Sequence, residues 1–246
     1  MSGPRLYLDL GSEPIDRKTA LSEADGFILD PGDLEPPRDD LEQTLMLRGV
    51  TPLDSPAWTE RDVGWVCVEG LDQTARLRDG WPSLRWIPCI ETYCPPVRYD
   101  FAAAAPGEGF SVYRPDTSTI QQHKVADHEE DLRGWLARAK GAGFRTVWLH
   151  SRDAAKRGRG LDLDLLDLSR RLFTGGQIWI SGGATDPQHL ENLAANGGAT
   201  AVVLPGAVAE RCSCVRLLTA LGRPAGAFET AAERPAAAPG RTPAKP

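Results

Sequence analysis

No apolar stretch approaches the ~18 residues that a membrane-spanning helix requires. The opening segment MSGPRLYLDLGS also lacks a signal-peptide layout, because Asp9 interrupts its apolar run at once. The expected compartment is therefore the cytoplasm. There is no basic excess either: 28 Lys and Arg stand against 34 Asp and Glu, a net charge of −6, which excludes a general binder of nucleic acid. Cysteine is sparse and odd in number. Cys67, Cys89, Cys94, Cys212 and Cys214 follow no framework spacing, and without an export signal they are expected to be reduced thiols. Cys212-Ser213-Cys214 is too tight for a zinc CxxC pair, and the four histidines are scattered. Neither a metal site nor a cofactor is expected.

What the sequence does have is a regular run of short apolar segments. Eight read as strands: 5–9 (RLYLD), 26–30 (GFILD), 64–69 (GWVCVE), 85–91 (RWIPCIE), 109–114 (GFSVYR), 145–150 (RTVWLH), 177–181 (QIWIS) and 201–204 (AVVL). Helical patterns lie between several of them. Asp127-His128-Glu129-Glu130 resembles a capping box ahead of Leu132, Trp135, Leu136 and Ala139. Leu161, Leu165, Leu168 and Leu172 form a stripe at helical spacing, and residues 38–48 carry a third helical pattern. Strands alternating with helices predict parallel βαβ units, and eight of them predict a single-domain α/β fold, a (β/α)8 TIM barrel over residues 1–222. A doubly wound open sheet is the alternative. Residues 223–246 (RPAGAFETAAERPAAAPGRTPAKP) are Pro- and Ala-rich and are expected to be a disordered tail, since they bury too little to offset their ordering entropy.

In such a barrel, chemistry sits at the carboxyl ends of the strands. The first four strands end on acids, Asp9, Asp30, Glu69 and Glu91. The next two end on Arg114-Pro115-Asp116 and on His150-Ser151-Arg152-Asp153. The last two end on Ser181-Gly182-Gly183 and on Pro205-Gly206-Ala207. Glycines at strand ends ahead of helices leave room for backbone N–H groups to meet an anion; tight turns that merely need glycine are the plainer explanation. Carboxylates facing one another across a partly dry pocket can have their pKa values pushed apart into an acid and a base.

From Gly109 to Glu210 the sequence resembles the histidine-biosynthesis barrels, namely phosphoribosylformimino-aminoimidazole-carboxamide ribotide isomerase and the cyclase subunit of imidazole glycerol phosphate synthase. The resemblance rests on GWLARAKGAGF, HSRDAAKRGRG with LDLDLLDLSRRL, ISGGATDPQHLENL and AVVLPGAVAE, in that order. It implies that Ser181, Gly182, Gly183, Gly206 and Ala207 bind one substrate phosphate, and that Asp9 in LYLDLG acts in acid/base catalysis. The family's second aspartate ends strand five, where this chain has Arg114 and then Asp116; a threonine usual after strand six is replaced by His150. The family isomerase has a second glycine-rich phosphate site after strand three, where this chain has VEGLD, with two acids that repel phosphate.

The expectation is an isomerase or lyase acting by general acid/base catalysis on a singly phosphorylated sugar-like or amine-bearing metabolite, distinct from the histidine-pathway enzymes. Asp9, Asp116 and His150 are its candidate catalytic groups. The alternative is a non-catalytic ligand-binding or complex-forming subunit of the same fold, with Trp58 and Trp81 as candidate partner contacts; relatives of this kind occur beside genes of methanopterin-linked one-carbon metabolism. A third reading has Asp9, Asp30, Glu69 and Glu91 bind a divalent cation. The expected partner is a phosphorylated small molecule, with an oligomer or protein complex open and neither nucleic acid nor membrane among the partners.

Overall fold

The computed structural model describes residues 3–11, 24–30, 44–48, 63–80, 84–94, 123–126 and 130–223. Parallel strands dominate: β1 (Arg5–Gly11), β2 (Gly26–Leu29), β3 (Thr44–Arg48), β4 (Val63–Glu69), β5 (Trp86–Tyr93), β7 (Thr146–Ser151), β8 (Gln177–Ser181) and β9 (Ala201–Pro205). A two-residue strand, β6 (Lys124–Val125), pairs antiparallel to β5. The helices are α1 (Leu71–Gly80), α2 (Leu132–Gly141), α3 (Arg152–Arg157), α4 (Leu163–Leu172), α5 (Gln188–Asn196), α6 (Gly206–Cys212) and α7 (Cys214–Ala220).

The sheet runs β4-β3-β2-β1-β9-β8-β7-β5-β6, and β4 pairs additionally with β5, so the sheet is curled and its parallel pairings return on themselves. An eightfold strand–helix repeat is not seen: among the described residues, no helix lies between β1 and β4. None of the helices is long and apolar enough to cross a membrane.

Seven of the eight expected strands are found. The expected strand at 109–114 lies outside the described residues, as do Arg114, Asp116, Trp58, Trp81 and the tail from residue 224. The helical pattern expected over 38–48 is overturned at its end, where Thr44–Arg48 is a strand held between β2 and β4. The four-residue spacing of Leu41 and Leu45 mimics a helical stripe. Ladder bonds on both edges of the short apolar run TLMLR decide the conformation instead. The cap of α2 also differs from the expected box. Asp131 serves as its N-cap, accepting from Gly134 N at 2.7 Å, while residues 127–129 lie outside the described set.

Because strand side chains alternate, the parallel strands other than β3 serve two apolar clusters. Leu6, Leu8, Phe27, Leu29, Val66, Val68, Ile90, Val147, Leu149, Ile178, Ile180, Val202 and Leu204 join Trp135, Leu136, Leu165, Leu190 and Leu217 of the helices in one. Tyr7, Ile28, Met46, Cys67, Ile87, Trp148, Trp179 and Val203 form the other, inside the curl. There Tyr7 and Trp179 stack at 4.4 Å between ring centroids and 15° between planes. The expected stripe of α4 is corrected in part: its fully buried residues are Leu165, Leu166 and Ser169, flanked by the partly buried Leu161, Leu163, Leu168 and Leu172.

A buried ion pair ties β6 to the start of α4. His123 Nε2 lies 3.4 Å from Asp162 Oδ2, with the two side chains 4% and 12% exposed. Asp162 also accepts from Ser151 Oγ at 2.8 Å and from Leu165 N at 3.0 Å. Burial works against ionising Asp162, but the bonds from His123, Leu165 N and Ser151 outweigh it and hold the carboxyl at about 2. Burial likewise opposes the charge on His123, and Asp162 with the Cys94 thiol overcomes it, raising the imidazole to about 10.

The linkage has a definite sign. His123 stabilises the fold fully below its unfolded pKa of about 6.5 and loses that contribution as pH rises through about 10. Asp162 contributes above its unfolded value of about 4 and loses its share as pH falls through about 2. The melting temperature of the wild type is therefore expected to fall more steeply between pH 6 and pH 10 than that of His123→Gln. Parallel melting curves for the two proteins across that range would show that the pair is not coupled to folding.

Candidate functional site

The alternation that builds the inner cluster also delivers polar groups to its carboxyl-end rim. Asp9 stands two residues beyond Tyr7, Asp30 beyond Ile28, Arg48 beyond Met46 and Glu69 beyond Cys67. Glu91 follows Cys89, His150 follows Trp148, and Ser181 follows Trp179 in the same way. Side chains two apart share a sheet face, so these groups converge. They surround a cavity of about 450 Å³ lined by Asp9, Arg48, Glu69, Glu91, His150 and Ser181 with Gly182, Gly183, Thr185 and Pro205.

Arg48 was not anticipated, because its strand was read as the end of a helix. It binds Asp9 through Nη2, its Nε lies 2.9 Å from Asp30 Oδ1, and its guanidinium carbon stands 5.8 Å from the Trp148 ring centroid. The one available signal was the alternation in TLMLR, which puts Arg48 on the face of Met46. Arg48 thus stands between the first two carboxylates, where the cation reading would put a metal ion. Among the described residues no three His, Cys, Asp or Glu side chains are gathered as metal ligands.

Asp9 is raised above its ordinary pKa, chiefly by burial and secondarily by Asp30, against the pull of Arg48 and of the Gly11 N–H at 3.2 Å. His150 is lowered, again first by burial and then by Arg48 and Arg152, against Glu91 and Asp9. Ser181 Oγ lies 2.8 Å from Trp148 Nε1 and 2.9 Å from His150 Nδ1. An indole N–H only donates, so Ser181 accepts from Trp148 and has its own proton to give to Nδ1 of a neutral imidazole. That arrangement leaves His150 Nε2 as the protonated nitrogen. In register, Glu91 sits opposite His150 and His150 opposite Ser181, so acid, imidazole and hydroxyl cross three adjacent strands. Glu91 also pairs with Arg152 at 3.4 Å.

The glycine end has a packing explanation of its own. Gly182 has φ +99° and Gly183 φ +89°, a region that favours glycine. A Cβ on Gly182 would run into the Ser151 carbonyl; one on Gly183 would meet the Gly160 carbonyl and lie 2.5 Å from that of Ala154. The loop after β8 is thereby pressed onto the β7–α3 connection, and Gly160 N donates to Gly183 O at 2.9 Å. Gly206 and Ala207 begin α6 directly after the lining residue Pro205 but do not line the cavity themselves. Asp153 is engaged away from the loop that follows it, accepting from Cys94 N at 2.6 Å.

Of the expected catalytic groups, the structure brings Asp9 and His150 to one cavity. Counted around the sheet from β1, β5 is the fifth parallel strand and carries Glu91; Asp116 lies outside the described residues. No protein-family model matches the chain, and no curated protein matches it.

Gly183→Ala is expected to cost roughly 2–5 kcal/mol, combining a disfavoured backbone angle with overpacking. Gly175→Ala, at φ +77° with open space around it, should cost only the backbone share, about 1–3 kcal/mol. Urea unfolding of both variants checks the difference; equal losses would leave the close approach at Gly183 without energetic weight.

Proposed function

We propose that this protein is an enzyme, an isomerase or lyase that moves a proton on a singly phosphorylated sugar-like or amine-bearing metabolite. Its scaffold is read as a (β/α)8 barrel akin to the histidine-biosynthesis barrels, yet distinct from the isomerase and the cyclase of that pathway. The observation that carries this reading is the pairing of Asp9, raised in pKa, with His150, lowered in pKa, on one cavity of about 450 Å³. The raised pKa moves the Asp9 carboxyl toward the range in which protons are exchanged near neutral pH, and the lowered one keeps His150 a neutral imidazole able to donate from a ring N–H.

Asp9 takes or returns the substrate proton. His150, its Nδ1 occupied by Ser181, offers Nε2–H to an oxygen or nitrogen that gains charge. Glu91 is the natural third member, since it lies on β5 beside the cavity and faces His150 in register. A phosphate is assigned to the loop Ser181–Gly183, the part of the rim without carboxylates, with Gly206 and Ala207 behind the lining residue Pro205 as the further candidates. Asp116 retains its candidacy as an acid reaching the same mouth.

A second reading, a non-catalytic ligand-binding subunit, is favoured by one observation: Arg48 already engages both Asp9 and Asp30. The two separate experimentally. A phosphorylated metabolite at 100 times its Kd should stabilise the fold by about 2.7 kcal/mol, visible as a raised melting temperature. For that compound Asp9→Asn should keep binding within about threefold while turnover falls by roughly 10²–10⁴-fold. Binding without turnover in the wild type would establish the subunit reading; no stabilisation by any phosphorylated metabolite would remove the phosphate assignment.

A further inference from the structure

Away from the cavity, the short antiparallel ladder between β5 and β6 brings three chemically distinct groups together. Thr92 lies opposite Val125 and Tyr93 opposite Lys124, so the next pair outward sets Cys94 across from His123. Residues directly opposite in such a ladder have Cβ atoms about 4.5–5.5 Å apart. Both backbones are anchored at this point, Cys94 N on Asp153 at 2.6 Å and His123 O on Leu132 N at 3.0 Å.

The His123 side chain is 4% exposed, and Asp162 occupies its Nε2 side at 3.4 Å. Its Nδ1 is buried and makes no hydrogen bond among the described residues. A buried, unpartnered imidazole nitrogen is costly, and the group that the ladder places next to it is the Cys94 thiol. Cys94 itself is only partly buried and forms no disulfide.

We propose that Cys94, His123 and Asp162 form a thiol–imidazole–carboxylate triad that makes Cys94 a nucleophilic modification site for small carbon electrophiles. A nucleophile beside a base that a third group orients is the general pattern of an activated side chain. In the reactive form the proton sits on His123 Nδ1, Asp162 holds the Nε2–H, and Cys94 is a thiolate. Its sulfur forms a bond to the electrophilic carbon while the bond from that carbon to the leaving group breaks. The leaving group departs with the electron pair, and the proton on His123 passes to solvent. The upward shift of the His123 pKa, to which both Asp162 and the thiol contribute, acts in the same direction. Among the described residues the other charged groups near the triad are Asp153, Lys124, Asp131 and Glu130, the last engaged by Arg138 at 2.8 Å. The proposal stands apart from the reading of the cavity.

The test is alkylation of the full chain with iodoacetamide at pH 6, 7 and 8, each cysteine followed by mass spectrometry. Cys212, also partly buried, is the internal reference. An ordinary thiol of pKa about 8.5 loses roughly 75-fold in rate between pH 8 and pH 6. Cys94 should instead change by less than about threefold, as a thiolate–imidazolium pair does, and so part from Cys212 in the same sample. His123→Gln should give Cys94 the pH dependence of Cys212. The proposal is overturned if wild-type Cys94 tracks Cys212, or if a folded His123→Gln keeps the flat profile. The wild-type comparison decides the matter even if the variant does not fold.

Discussion

Seven parallel strands of the curled sheet, all but β3, bury both of their faces, one in the cluster shared with the helices and one inside the curl, and the period-two alternation of side chains sorts residues between the two. Leu6 and Leu8 go outward as Tyr7 goes inward; Val147 and Leu149 go outward as Trp148 goes inward. Once that division is set, the next inward residue on each strand has no choice of face. It lands at the carboxyl-end rim, beyond the last layer of interior side chains, where burial is incomplete and polar groups are tolerated. The convergence of Asp9, Arg48, Glu69, Glu91, His150 and Ser181 follows from packing before any chemistry is considered.

Electrostatics then decides what those groups can do. Four carboxylates on one rim repel one another, and a single guanidinium relieves the pressure between Asp9 and Asp30. The relief is partial: burial still holds Asp9 above its ordinary range. The same guanidinium, together with burial and Arg152, disfavours charge on His150. Arg48 thus lowers the pKa of both groups, favouring the anion of Asp9 against burial and the neutral form of His150 together with burial. A rim without it would carry a carboxyl group still harder to ionise and an imidazole easier to protonate.

Strands buried on both faces announce themselves in the sequence as unbroken apolar runs, and for that reason β1, β2, β4, β5, β7, β8 and β9 were all legible. Their terminal residues were legible with them, which is how Asp9, His150 and Ser181 came to be named. Thr44–Arg48 was not, because five residues with leucines at helical spacing look alike in either conformation until neighbours supply the ladder bonds. Missing that strand hid Arg48 and left β3 out of the strand count, while Asp116 lies outside the described residues. The glycines after β8 were recognised as special but not for their full reason. Only the folded chain shows the carbonyls of Ser151, Ala154 and Gly160 pressed against them. His123 and Asp162, 39 residues apart, gave no local sign of their pairing.

Beneath the cavity, Tyr7 and Trp179 lie face to face, with exposures of 1% and 3%, among Met46, Cys67 and Ile87, each at 0%. This layer is a floor. The apolar floor gives a bound molecule its contact area, while groups able to exchange protons with that molecule, Asp9 and His150 among them, stand on the rim above.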